Sequence, residues 1–294
     1  MRLRPLSLAA LAAALLCGPA QAQSVAEVFG ERSLAIAIDD RCHVFSDNER
    51  DALTASWLQA RGTLLRAGHS SEDIRSTFDV ITRRASTRAC SSPEAQGVIA
   101  GVRSAYTAFS RMYALDYPGG ARVWMAQRRR GEIPVWTLSQ TLADEPQPPR
   151  FGLYSDPAGE VLSLSLVPAE PPSGVAIVLR DPERASEPVD PTLGGLLAVS
   201  GRPAWARLAP PRHAEARFWA SGRRMVEDRL HFAFPESATE AIARLDPREA
   251  ARIELYDARG RITGQLYVEI GDFAAALAFL AAGIDPSASA APGG

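Results

Sequence analysis

Apolar positions change their period once along this chain. Over residues 24–112 they recur every three or four residues, the spacing of one helix face. Residues 24–39 read as a first helix or a pair of short ones. Ser46-Asp47-Asn48-Glu49 is a capping box, in which serine and glutamate satisfy each other's free backbone N–H groups. Leu53, Trp57, Leu64 and Leu65 share the face that follows, with Gly68 as C-cap. A third helix opens at Ser70 or Ser71, with Glu72 and Asp73 at the positive end of its dipole and Ile74, Phe78, Ile81 and Ala85 as its core stripe. Ser92-Pro93-Glu94 starts a fourth, serine as N-cap and proline in the first turn, with a predicted core stripe of Val98, Val102, Ala105, Phe109 and Met112. The connections are short, which predicts antiparallel neighbours.

Beyond residue 117 the pattern shortens to that of strands. Residues 122–127 and 133–140 flank Arg130-Gly131-Glu132, and 151–155 and 160–167 flank the turn residues Asp156-Pro157-Ala158-Gly159. Further strands are expected at 175–179, 196–200, 213–220 and 230–234, with a hairpin of 251–256 and 262–269 over residues 257–260. Two short helices are expected at 237–245 and from Gly271-Asp272 to Ala282. Proline marks the same change: 19 of the 22 prolines lie from Pro118 onward, and proline breaks helix interiors. The predicted class is therefore α+β, an N-terminal helical bundle over 23–117 followed by an antiparallel β domain with two short helices over 118–283. The boundary between the segments falls at Pro118-Gly119-Gly120, and 284–294 reads as a disordered tail.

Residues 1–22 read as a secretory signal. Arg2 and Arg4 form its basic end, residues 6–17 its apolar core, and Ala20-Gln21-Ala22 its cleavage site. Leu16 stands where a lipoprotein needs a small residue before Cys17. No later apolar run reaches the length of a membrane span. The expected location is periplasmic or secreted. Cys17 leaves with the signal, and Cys42 and Cys90 remain, which in an oxidising compartment predicts one disulfide closing the bundle. A helix hairpin joined at 67–70 would return the chain to its starting end and bring the two cysteines together.

Charge and composition narrow the chemistry. All 32 basic residues are arginine, which excludes Schiff-base, P-loop and Ser-Lys chemistry that requires a lysine amine. A net charge of −2 argues against a nucleic-acid surface. There is no HExxH; His43 and His69 read as surface residues, while His213 and His231 lie in different strands that can approach each other. Ala198-Val199-Ser200-Gly201-Arg202 lacks the first glycine of a nucleophile elbow. Asp39-Asp40 and Glu227-Asp228 are candidate acids for a carboxylate pair, and Arg128-Arg129-Arg130 with Gly131 reads as a solvated hairpin tip or, less simply, an anion-binding turn. Of the five tryptophans, Trp57 fits the helical stripe and Trp124 and Trp136 belong to one hairpin, leaving Trp205 as the candidate exposed binding aromatic.

Phe232-Ala233-Phe234-Pro235, Leu245-Asp246-Pro247-Arg248-Glu249 and Val268-Glu269-Ile270-Gly271-Asp272-Phe273 resemble the end of a family of uncharacterised secreted bacterial proteins. The order of short helix, hairpin and C-terminal helix is also similar to the invasion-associated locus B family, whose members usually carry cysteines there; this sequence has none. Neither resemblance supplies a catalytic residue. The expected role is a non-catalytic binding or interaction module whose partner is an envelope protein or ligand, with no catalytic, cofactor or metal site. The alternative is an envelope hydrolase acting through a carboxylate pair.

Overall fold

A computed structural model describes residues 23–128, 135–189, 208, 210, 211 and 213–283. The expected signal (1–22), the strand expected at 196–200, Ser200, Trp205 and the expected tail (284–294) lie outside these residues. The first half is helical: α1 (Val25–Cys42), α2 (Asp47–Arg66), α3 (Ser71–Ser86) and α4 (Pro93–Phe109). Ser24, Ser46, Ser70 and Ser92 each accept a hydrogen bond from the backbone N–H three residues on, and the first two complete capping boxes. Residues 24–39 belong to one continuous helix, which stops at His43 in the left-handed conformation (φ +50°). The Trp57 ring of α2 sits between Phe29 of α1 (5.8 Å) and Phe78 of α3 (5.6 Å). α3 lies chiefly against α1 rather than against α2, its neighbour in sequence. The Cys42–Cys90 disulfide joins the end of α1 to the turn after α3, with Cα atoms 5.9 Å apart.

The stripe expected on α4 is displaced. Ala95 and Ile99 are its buried residues, Val98 and Val102 are half-covered, and Ala105 and Met112 are exposed. Periodicity identifies an apolar face but not which flank of it meets the neighbours. Here the seam passes through Ile99, and Val102, Ala105, Phe109 and Met112 line an open groove of about 200 Å³ against Leu53 of α2 and Arg32 of α1.

The second half holds two antiparallel sheets. One is ordered β1 (Ala114–Pro118), β2 (Val123–Gln127), β3 (Val135–Thr141), β4 (Arg150–Asp156), β5 (Gly159–Leu166), β9 (Arg229–Ala233), β8 (Gly222–Val226). The other is ordered β11 (Ile262–Glu269), β10 (Ala250–Tyr256), β6 (Gly174–Arg180), β7 (Glu215–Trp219). Two short helices, α5 (Glu236–Ala243) and α6 (Phe273–Ala281), complete the α+β fold. β1 and β8, which hydrophobic alternation does not predict, are the two edges of the larger sheet. An edge strand is paired on one side only and needs the least apolar sequence.

A single core lies between the sheets. Leu162 and Leu164 of β5, Val175 and Ile177 of β6, Ile253 of β10, and Phe273 and Phe279 of α6 belong to it, as does Ala55 of α2, with the half-buried Leu58 packed against it. The helical segment is thus tied into the β segment through α2 and α6. Arg66 holds Asp272 with two bonds, 2.6 and 2.8 Å, and Gly62 makes room for that carboxylate, since a Cβ there would stand 2.0 Å from Asp272 Oδ1. Pro118-Gly119-Gly120, expected as a boundary between segments, forms the turn between β1 and β2. The backbone N–H groups of Gly120, Ala121 and Arg122 donate to the buried Glu269 carboxylate, and Trp124 Nε1 donates to the carbonyls of Glu269 and Ile270. Arg128 is not solvated: it is buried, donates to the carbonyls of Phe279, Phe109 and Met112, and lies 3.9 Å from the Phe279 ring centre. Its neighbours 129–131 lie outside the described residues. Among the described residues no helix is long and apolar enough to cross a membrane.

Candidate functional site

The outer face of the larger sheet carries the most chemically equipped concavity. β4, β5, β9 and β8 lie side by side, with Ser165 opposite His231 and His231 opposite Arg224. Leu162, Leu164, Leu230 and Phe232 point to the core, so strand alternation sends Ser163, Ser165, His231 and Arg224 to the other face. Two small residues, Gly152 and Ser163, face each other across β4 and β5. Gly152 is required: at φ +152° a Cβ would stand 2.0 Å from the Leu138 carbonyl oxygen. A register shift between Trp136 and Leu138 lets β3 turn Trp136 toward this face.

Three rings gather there. Trp136 stacks on His231 at 5.9 Å with 29° between planes, and Tyr154 lies 5.2 Å from Trp136 and 4.8 Å from His231. The Arg224 guanidinium stands 5.5 Å from the Tyr154 ring and pairs with Asp156. Thr137 donates to Glu160. The adjoining cavity, about 310 Å³, is lined by Asp156, Glu160, Ser163, Arg223, Arg224 and His231, among others. His231 is 5% exposed, yet its Nδ1 has no hydrogen-bond partner among the described residues. A buried polar atom left unpaired costs on the order of 1–3 kcal/mol; this one is itself closed to solvent, but it belongs to a ring that lines the cavity.

Burial lowers the His231 pKa to about 4, and the positive charges of Arg224 and Arg229 act in the same direction. The ring is therefore neutral at pH 7. The hydrogen bond from Arg224 holds the Asp156 carboxyl below its usual range, and burial raises the Tyr154 hydroxyl. The sign of the pH effect follows. Between pH 6.5 and about 4 the unfolded chain binds a proton at His231 that the folded chain refuses. Stability due to this residue is full above pH 6.5 and falls as the pH drops, by up to about 3 kcal/mol. His231→Gln is expected to flatten that region of the stability profile, measured by urea unfolding at pH 7, 5.5 and 4. Parallel profiles for the two proteins would rule out the burial of a neutral imidazole.

The residues singled out from sequence fall elsewhere. His43 ends α1 and His69 lies in the α2–α3 turn, both exposed. His213 precedes β7 in the smaller sheet, whereas His231 lies in the larger. Asp39 is buried and structural, accepting from the N–H groups of Val44 and Phe45 and from Arg50. Glu227 and Asp228 form the exposed β8–β9 turn, with Glu227 at φ +54°. Among the described residues the most exposed tryptophan is Trp219, at 51%, packed on Tyr256. Asp156 and Glu160, two acids that share this cavity, flank the β4–β5 turn that sequence reading identifies only as a turn. Among the described residues no group of three or more His, Cys, Asp or Glu is placed to hold a metal ion. No protein-family model, curated protein or solved structure matches this chain.

Proposed function

We propose that this protein is a non-catalytic binding module of the cell envelope, exported to the periplasm or beyond, which takes a small polar ligand in the His231 cavity. The observation that carries the reading is the unpartnered Nδ1 of His231 in a buried ring cluster beside that cavity. Arg223 and Arg224 supply donors, and Asp156, Glu160 and Ser163 supply acceptors, so a ligand with both kinds of group can be satisfied on several sides. The alternative, a hydrolase acting through Asp156 and Glu160, has the acids in one cavity in its favour. Against it, the Asp156 carboxylate is already engaged by Arg224 and by the Ala158 backbone N–H, which blunts it as the ionised nucleophile or base of such a pair. No hydrogen bond joins a described hydroxyl to His231, and an imidazole of pKa about 4 is a weak general base at neutral pH.

A thermal-shift screen of monosaccharides, disaccharides and amino acids tests the site. At least one compound is expected to raise the unfolding midpoint of the wild-type protein and to leave a His231→Ala, Arg224→Gln variant unmoved. Equal shifts in both proteins would remove the cavity from consideration. Turnover of chromogenic glycosides that disappears in Glu160→Gln would establish the hydrolase instead. Export is tested by intact mass from a secreting host: the expected N-terminus is Gln23, and a product retaining Met1 would defeat the compartment.

A further inference from the structure

The arginines around the junction of α2, α5 and α6 are not equally provided for. Arg66 is matched by Asp272 with two bonds. Arg248 is matched by Asp246, at 2.9 and 2.8 Å, and the same carboxylate also accepts from the Arg248 backbone N–H. Arg61, one turn before Arg66 on α2, is half-buried and has no hydrogen bond or ion pair among the described residues. Burial lowers its pKa, and the attraction of Asp246 is opposed by the like charges of Arg248 and Arg75. The Arg61 guanidinium nitrogens still reach solvent, and both nearby carboxylates are already occupied, so the cation is open to an anionic partner from outside.

Arg61 lines a cavity of about 240 Å³. Arg244, at the C-cap of α5, lines it too and is held only loosely, 3.8 Å from Glu183. Much of the remaining wall is apolar, with Leu58 from α2, Leu245 after α5 and Ala275 on α6. The cavity therefore joins two available guanidinium groups to a greasy surface. A guanidinium presents a flat fork of N–H donors that matches a carboxylate, and the alkyl surface beside it suits a short hydrocarbon body.

We infer that this cavity is a binding site for a small organic carboxylate, its head on Arg61 and Arg244 and its apolar body against Leu58, Leu245 and Ala275. The site is separate from the His231 cavity and does not depend on it.

Calorimetric titration of the disulfide-bonded exported protein with hexanoate at low ionic strength tests the assignment, with hexan-1-ol and inorganic phosphate as controls. Hexanoate is expected to bind. Hexan-1-ol lacks the charge and phosphate lacks the body, so each should bind on the order of tenfold more weakly or worse. Arg61→Gln should lose hexanoate binding by a similar factor, Arg244→Gln should weaken it, and His231→Ala should leave it unchanged. Because Arg61 has no internal partner, Arg61→Gln should also match or exceed the wild-type unfolding midpoint in the absence of ligand. Equal binding of hexan-1-ol or phosphate, retained affinity in Arg61→Gln, or a clear loss of stability in that variant would each overturn the proposal.

Discussion

Replacing Cys42 and Cys90 by serine is expected to lower the stability of the protein by about 4 kcal/mol. The two residues are 48 apart in sequence, and in the chain-entropy account a link across a loop of that length removes about this much freedom from the unfolded chain. The native side of the balance changes little. Cys42 ends α1 and Cys90 follows α3, and neither helix needs the bridge for its caps. The region does depend on it energetically, because its buried clusters are small: Ala35, Ile38, Phe45, Leu53, Ala95 and Ile99 in one, Phe29, Ala60, Leu64, Leu65 and Ile74 in the other. Urea unfolding of the double serine variant should show a lower midpoint, with the helical signal lost before the strand signal or together with it. A variant whose midpoint stays within the error of wild type would mean that packing alone holds the bundle. Helical signal that outlasts the strands would show that α2 does not couple the bundle to the sheets.

The second large effect is expected at Arg180 and Glu249, both 2% exposed at the side chain. Arg180, at the end of β6, donates from Nε and Nη2 to Glu249, at 3.2 and 2.9 Å, and Nη1 donates to the Ala185 carbonyl. Glu249 also accepts from the backbone N–H of Asp246. The pair fastens the segment leading into β10 to the end of β6. Glu249→Gln preserves shape but leaves the Arg180 charge buried without its counter-charge, which costs about 3–5 kcal/mol. Replacing both by apolar residues of similar volume, Arg180→Met with Glu249→Leu, removes the two desolvation penalties together and should cost far less than the single change. Chemical denaturation of the two variants measures the difference. Equal losses would mean that the hydrogen bonds to Ala185 and Asp246, not the buried charge, dominate.

How much of the fold is legible in the chain depends on the range of the interaction. Capping serines act across three residues, so Ser46 and Ser92 announce their helices in the sequence. The hairpin of β10 and β11 is equally plain, because alternation and the turn residues 257–260 sit side by side in the chain. Two cysteines outside the expected signal leave one internal pairing, so the disulfide is predictable by composition. The packing behind it is not, since α3 settles on α1 across the intervening helix.

The rest depends on contacts between residues far apart in the chain. His231 is an alternating-strand residue until β5 and β8 flank it and Trp136 covers it. Its unpaired nitrogen comes from register, which no local pattern specifies. Arg61 looks like any surface arginine on α2, and its isolation arises because Arg248 and Arg66 take the carboxylates first. Pro118-Gly119-Gly120 reads as a break in the chain, yet those residues turn β1 into β2 around a carboxylate contributed about 150 residues later. The amino-acid sequence by itself determined the helices, most of the strands, the staple and the α+β class, because these follow from interactions within a few residues or from counting. Only the tertiary structure decided which polar groups were left without partners, because satisfying a buried charge or donor is a competition settled across the whole fold.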